Sequence, residues 1–157
     1  AKVPFGVLAS VAPIVDFNPQ AVKDILAKIG VEFDERDEER LIRVKNWITK
    51  HQPSKMYKLL SRKNGEYYDT LSDEEKDAVK KLAEYVESHD DIKEQEIQQY
   101  LYGIINDPSL TKKENMARQQ RFFAVFYNLL FGTDKGPRLY LFLSAIDKAK
   151  YLDLLKF

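Results

Sequence analysis

The sequence predicts an all-α fold, a multi-helix cage or bundle of about nine helices in two small lobes. Three observations carry this expectation. Apolar residues recur at three- and four-residue spacing along nearly the whole chain. Helix-start signals precede those runs at Asn18-Pro19, at Ser72 with Glu75, and at Thr111 with Glu114. No segment shows the sustained polar–apolar alternation of a confident strand.

The elements follow in order. A first helix is expected over Phe5 to Val11, with Phe5, Leu8 and Ala12 on one face. Asn18 caps a second, Pro19 takes its first position, and Gly30 closes it; Ala21, Val22, Ile25, Leu26 and Ile29 form its stripe. A third runs from about Glu35 to Lys50, with Leu41, Val44, Trp47 and Ile48 inward. Pro53 is expected to start a shorter fourth through Leu60, followed by a turn at Asn64-Gly65 and an extended connection from Tyr67 to Leu71. Ser72 with Glu75 is a capping box, in which a hydroxyl and a carboxylate satisfy two free N–H groups reciprocally. Its helix carries Val79, Leu82, Ala83 and Val86. Asp91 opens the next, with Ile97, Leu101, Ile104 and Ile105 inward and Pro108 beyond its end. Thr111 with Glu114 is a second capping box, before the longest helix, Lys112 to Phe131. Two helices close the chain, Leu139 to Ile146 and one from Asp147. Charge sign and turn chemistry both change between Lys63 and Leu71. The expected lobes are therefore residues 1–66 and 67–157.

The 157 residues suffice for one domain or two small helical lobes. The absence of cysteine removes disulfides and thiolate metal sites, and favours a reducing, cytoplasmic setting. No apolar run approaches the ~20 residues of a membrane span, and the first residues lack a signal-peptide layout. The abrupt opening on an apolar pattern fits a fragment of a longer protein. Net charge is zero, but its distribution is uneven. Residues 1–65 carry 12 basic and 8 acidic groups, residues 66–110 carry 4 and 13, and residues 111–157 carry 9 and 4. An acidic middle thus masks two basic ends.

Catalytic chemistry is thinly represented. His51 and His89 stand in unrelated contexts and read as solvated helix-end residues. No Glu-x-x-His pair and no Gly-rich phosphate loop occurs. The strongest constellation is Arg40 to Gly65. It holds eight basic residues, Arg40, Arg43, Lys45, Lys50, Lys55, Lys58, Arg62 and Lys63, without one acidic residue. Trp47, His51 and Tyr57 are interspersed. Basic groups neutralise phosphates, and flat rings stack unpaired bases. The candidate RNA-binding residues are Arg40, Arg43, Trp47, Lys50, Lys135 and Arg138; no catalytic or metal-ligating residue is assigned. Trp47 also shares its stripe with Leu41, Val44 and Ile48, which argues for burial. A second basic set is Lys112, Lys113, Arg118, Arg121, Lys135 and Arg138.

The stretch from Gly132 to Leu139 reads as a tight helix–loop–helix corner. Gly132 suits the left-handed residue after a helix, and Pro137 suits the first turn of the next. A Phe- and Leu-rich helix running into Gly-x-x-x-Gly-Pro-Arg, then a short apolar helix, resembles the C-terminal end of class I lysyl-tRNA synthetases. These enzymes are built like glutamyl-tRNA synthetases. The resemblance covers Arg118 to Leu155 well, and Leu71 to Glu75 and Val3-Pro4-Phe5 more loosely. One departure is Leu139-Tyr140-Leu141, where a small residue is expected after the arginine. The resemblance implies an anticodon-binding helical region whose parent ligates lysine to its tRNA using ATP, with magnesium. The implied partners are the anticodon arm of lysine-accepting tRNA and the parent's catalytic domain, with no membrane. The family's two nucleotide-binding signatures, and hence its catalytic half, lie outside this chain. The competing reading is an all-helical protein-interaction module without an RNA role, which zero net charge and the acidic 66–110 segment favour.

Overall fold

The computed structural model describes residues 3–157. Among these residues there is no strand, and the fold is all-α. The helices are α1 (Phe5–Val11), α2 (Pro19–Lys28), α3 (Glu35–His51), α4 (Gly65–Asp69), α5 (Asp73–Ser88), α6 (Glu94–Ile105), α7 (Lys112–Phe131), α8 (Leu139–Ala145) and α9 (Leu152–Leu155). Short 3₁₀ turns lie at Ala12–Val15, Pro53–Lys55 and Lys148–Lys150.

The start and stop signals work as chemistry requires. The Asn18 side chain accepts the Ala21 N–H at 3.0 Å, opening α2. The Ser72 hydroxyl accepts the Glu75 N–H at 3.2 Å while the Glu75 carboxylate accepts the Ser72 N–H at 3.0 Å. Thr111 and Glu114 repeat the exchange at the head of α7. Gly132 ends α7 at φ 76°, and its N–H reaches back to the Asn128 carbonyl.

Five local expectations are corrected. After Pro53 the chain makes only a 3₁₀ turn, and no helix runs to Leu60. The Leu60 N–H instead donates to the Leu130 carbonyl at 2.8 Å, so this stretch satisfies its backbone against the end of α7. The connection from Tyr67 is helical, not extended. Asn64 acts as a helix cap for α4, accepting the Tyr67 N–H while its amide donates to the Asn128 carbonyl at 3.1 Å. Pro137 lies before α8 rather than in its first turn; Arg138 takes the cap position. Asp147 caps a 3₁₀ turn, and α9 waits until Leu152. α6 starts at Glu94, a few residues beyond Asp91.

The chain forms two compact units. The first comprises residues up to Lys58 together with Pro137–Ile146; the second comprises Leu59–Gly136 with Asp147–Phe157. Contacts therefore regroup at three points, whereas charge and turn chemistry mark a single division at 66/67. In the first unit Leu8, Val11, Val22, Leu26, Leu41, Val44 and Ile48 share a core with Leu141 and Ala145 of α8. In the second, α5, α6, α7 and α9 bury Leu82, Val86, Ile97, Leu101, Ile105, Phe122, Phe126, Leu129 and Leu155, joined by Tyr151 just before α9. Phe142 and Ile146 are buried as the spacing predicts, but they belong to the segment grouped with the first unit.

Residues 147–157 are tied to the second unit by polar contacts as well. The Lys148 ammonium donates to the carbonyls of Val86 (3.2 Å), Glu87 (3.3 Å) and His89 (2.9 Å) at the C-terminal end of α5, and lies 3.6 Å from the Asp90 carboxylate. Tyr68 and Phe157 stack with centroids 3.9 Å apart.

Candidate nucleic-acid interface

The α3 helix is the best-defined platform for charge. Asp34 caps it, accepting the Arg36 N–H at 2.9 Å, and the Asp37 carboxylate accepts the Asp34 N–H at 3.0 Å. The Arg36 side chain also bonds Asp34 and holds that carboxyl below its usual range. Leu41, Val44 and Ile48 face the core. At about 100° per residue, Arg36, Arg40, Arg43, Trp47 and Lys50 fall within a stripe roughly 80° wide. That stripe is turned roughly 110° from the buried one and runs about 21 Å along the axis.

Trp47 is not a core residue. It is 41% exposed, and it meets Phe5 of α1, 45% exposed, edge to face at 5.4 Å and 86°. The His51 ring lies 5.4 Å from the indole, tilted at 44° to it. The sequence places both rings inward because their spacing is three or four from true core residues. The burial of α3 is narrower than that spacing allows, and Trp47 sits at its margin. The Phe5 contribution was missed for the same reason; no sequence signal separates it from Leu8.

The candidates differ in availability. Arg43 has 77% of its side chain exposed and only a loose contact, 3.9 Å, with Glu39. Arg40 is 24% exposed and donates at 3.0 Å to the buried Asp37 carboxylate. It compensates a charge that burial would otherwise penalise. Lys50 is exposed. Lys45 lies 5.9 Å over the Phe17 ring, and Lys58 is 3.8 Å from Asp16, so these two do not extend the stripe. Arg138 is exposed just before α8 in the first unit, off the stripe. Lys135 is exposed in the second unit.

The second basic set is largely committed to structure. Arg118 donates to the Ile105 carbonyl at 2.9 Å and pairs with Glu74. Arg121 pairs with Glu75 at 2.6 Å and reaches the Tyr67 hydroxyl. The Arg121 hydrogen bond holds the Glu75 carboxyl below its usual range. A cavity of about 570 Å³ in the second unit mixes Lys76, Lys80 and Lys156 with Asp73, Asp77, Glu84 and Glu87, so it offers no uniform field. Among the described residues no group of three or more His, Asp or Glu side chains could hold a metal ion. No described helix is long and apolar enough to cross a membrane.

Fold and surface together define an all-helical chain with one arginine-rich, aromatic helix face. Comparison with known proteins then narrows the class. No family model matches the chain. It is similar to the lysine–tRNA ligase of Pyrococcus horikoshii, 24% identical over 95% of this chain. It is likewise similar to that of Pyrococcus furiosus, 28% identical over 94%, and that of Picrophilus torridus, 29% identical over 88%. The chain spans about a quarter of these relatives, 28%, 28% and 25% of their respective lengths. The resemblance to lysine–tRNA ligases read from the Gly132–Arg138 corner thus extends along nearly the whole chain.

Proposed function

We propose that this chain is the C-terminal anticodon-binding region of a class I lysine–tRNA ligase. Its α3 stripe holds the anticodon arm of lysine-accepting tRNA. The rest of the enzyme attaches lysine to that tRNA using ATP and magnesium. The observation that carries the proposal is the single-faced arrangement of Arg36, Arg40, Arg43, Trp47 and Lys50, in a chain similar along its length to lysine–tRNA ligases. An opposite-face scatter of these groups would have removed its physical basis.

The division of labour follows from side-chain chemistry. Lys50 is a hydrated point charge suited to phosphate, which releases counterions and positions the RNA without reading it. Arg43 has a planar fork that can bond two base acceptors. Arg40, tied to Asp37, stabilises the helix head and adds field. ATP and magnesium belong to the proposed catalytic domain.

Binding of the chain to lysine tRNA and to an anticodon-substituted variant, measured across salt concentrations, tests this. The expected result is salt-dependent binding with the variant weaker by about 1–3 kcal/mol per altered base. Equal, negligible binding to both would leave the protein-interaction module as the better reading.

A further inference from the structure

We propose that Phe5 and Trp47 form a stacking platform for one unpaired RNA base, with Trp47 making the contact and Phe5 setting its angle. The proposal rests on the RNA reading above and adds to it a ligand feature and a residue. Two large rings stand 45% and 41% exposed against each other, an apolar patch beside the basic stripe of α3. The Phe5 ring stands at 86° to the indole, supporting it without stacking on it. Such edge-to-face contact is favourable and fixes ring orientation.

The support is rigid on both sides. Phe5 rides on α1, whose Leu8 and Val11 are fully buried, and Trp47 rides on α3 between Val44 and Ile48. Charge complementarity identifies the occupant. Arg43 lies one turn before Trp47 and Lys50 nearly one turn after, on the same stripe, and no carboxylate occurs from Arg40 to Gly65. A base on the indole therefore has its flanking phosphates beside cations. Stacking tolerates any base, because each has a π-face, so Trp47 anchors while discrimination falls to Arg43.

Trp47 is the single tryptophan of the chain, so its fluorescence reports the contact directly. The probes are a short single-stranded RNA and the same strand annealed to its complement. Saturable quenching by the single strand, and little by the duplex, is expected. Trp47→Ala should weaken single-strand binding by about 5- to 100-fold with the salt dependence unchanged, and Trp47→Phe should restore most of it. Phe5→Ala should lose part of the affinity and alter the emission, with Phe5→Tyr restoring both. Helical circular dichroism checks that these exposed substitutions leave the fold intact. Single-strand binding that neither quenches Trp47 nor weakens in Trp47→Ala would overturn the platform while leaving the RNA reading on its charges. Equal quenching by the duplex would overturn the preference for an unpaired base. Absence of binding by both the single strand and intact lysine tRNA would sink both proposals, and assign the aromatic pair to a protein contact.

Discussion

A Cβ placed on Gly136 would lie 2.4 Å from Cδ1 of Tyr127 and 2.6 Å from its Cε1. The ring of α7 covers the corner so closely that only a glycine passes under it. Phe131 Cδ2 lies 3.1 Å from the same point and crowds it further. Gly132 is required for a different reason, its left-handed φ of 76°. The Gly-x-x-x-Gly spacing therefore joins two unrelated constraints, one steric and one torsional. Gly136→Ala should destabilise by about 1–3 kcal/mol through overpacking, and Gly132→Ala by about 1–2 kcal/mol through strain. Urea midpoints check both; an unchanged midpoint for Gly136→Ala would mean that Tyr127 swings away freely.

Lys148 should matter more than its surface position suggests. Its ammonium serves three carbonyls at the end of α5, where the helix dipole also favours a cation. Lys148→Met keeps the stem and removes the donors. The expected cost is about 1–3 kcal/mol, with faster hydrogen exchange in the last turn of α5. Unaltered exchange there would assign the stem, not the charge, to the stabilisation.

The Glu75–Arg121 pair gives a pH dependence whose sign is fixed. The hydrogen bond from Arg121 lowers the folded-state value of Glu75. The contribution is thus fully present above the unfolded glutamate value, about 4.3, and is lost as pH falls through the lower folded value. Arg121 is about half exposed, so the pair is worth about 0.5–1 kcal/mol after screening. Glu75→Gln should flatten that part of the acid limb in a stability–pH profile. An identical profile would show that other carboxylates carry it.

Arg43→Ala and Lys50→Ala should fail in different ways. The first should cost about 1–3 kcal/mol on cognate tRNA and relax preference at one anticodon position. The second should weaken all tRNAs alike and reduce the salt slope by about 1. Arg40→Ala is a poor probe, because it strands the buried Asp37 carboxylate and so mixes folding with binding. If Arg43→Ala changes neither affinity nor preference, the site assignment fails. Lys112 and Lys113 would then be the next candidates, since Arg118 and Arg121 are committed to Glu74 and Glu75.

Local chemistry was legible wherever a few adjacent residues decide the outcome. Asn18, Ser72 and Thr111 cap where their side chains can reach, and Gly132 turns left-handed where α7 must stop. Legibility failed where a distant partner decides. Leu60 leaves the helical pattern because its N–H finds Leu130, and Asn64 becomes a cap whose amide is held by Asn128. Trp47 is the instructive case for the site. Periodicity gave its side of the helix to within one position, and that one position separates a core ring from an exposed one. The basic run itself was visible in the sequence, but only the helix geometry separates Arg43 and Lys50 from Lys45 and Lys58.

The return of α8 to the first unit has a consequence for the order of synthesis. Leu141 and Ala145 complete a core whose other members all lie before residue 49. A ribosome must add residues 59–136 before it reaches them. At typical elongation rates that interval is roughly 4–16 s. For that time α1, α2 and α3 present an unfinished apolar face, while α5, α6 and α7 emerge and still await Tyr151 and Leu155. Vectorial folding, one unit at a time, is closed to this chain. Both halves mature only after α8 and α9 have left the ribosome, and truncation anywhere before Ala145 should leave two incomplete cores rather than one finished lobe.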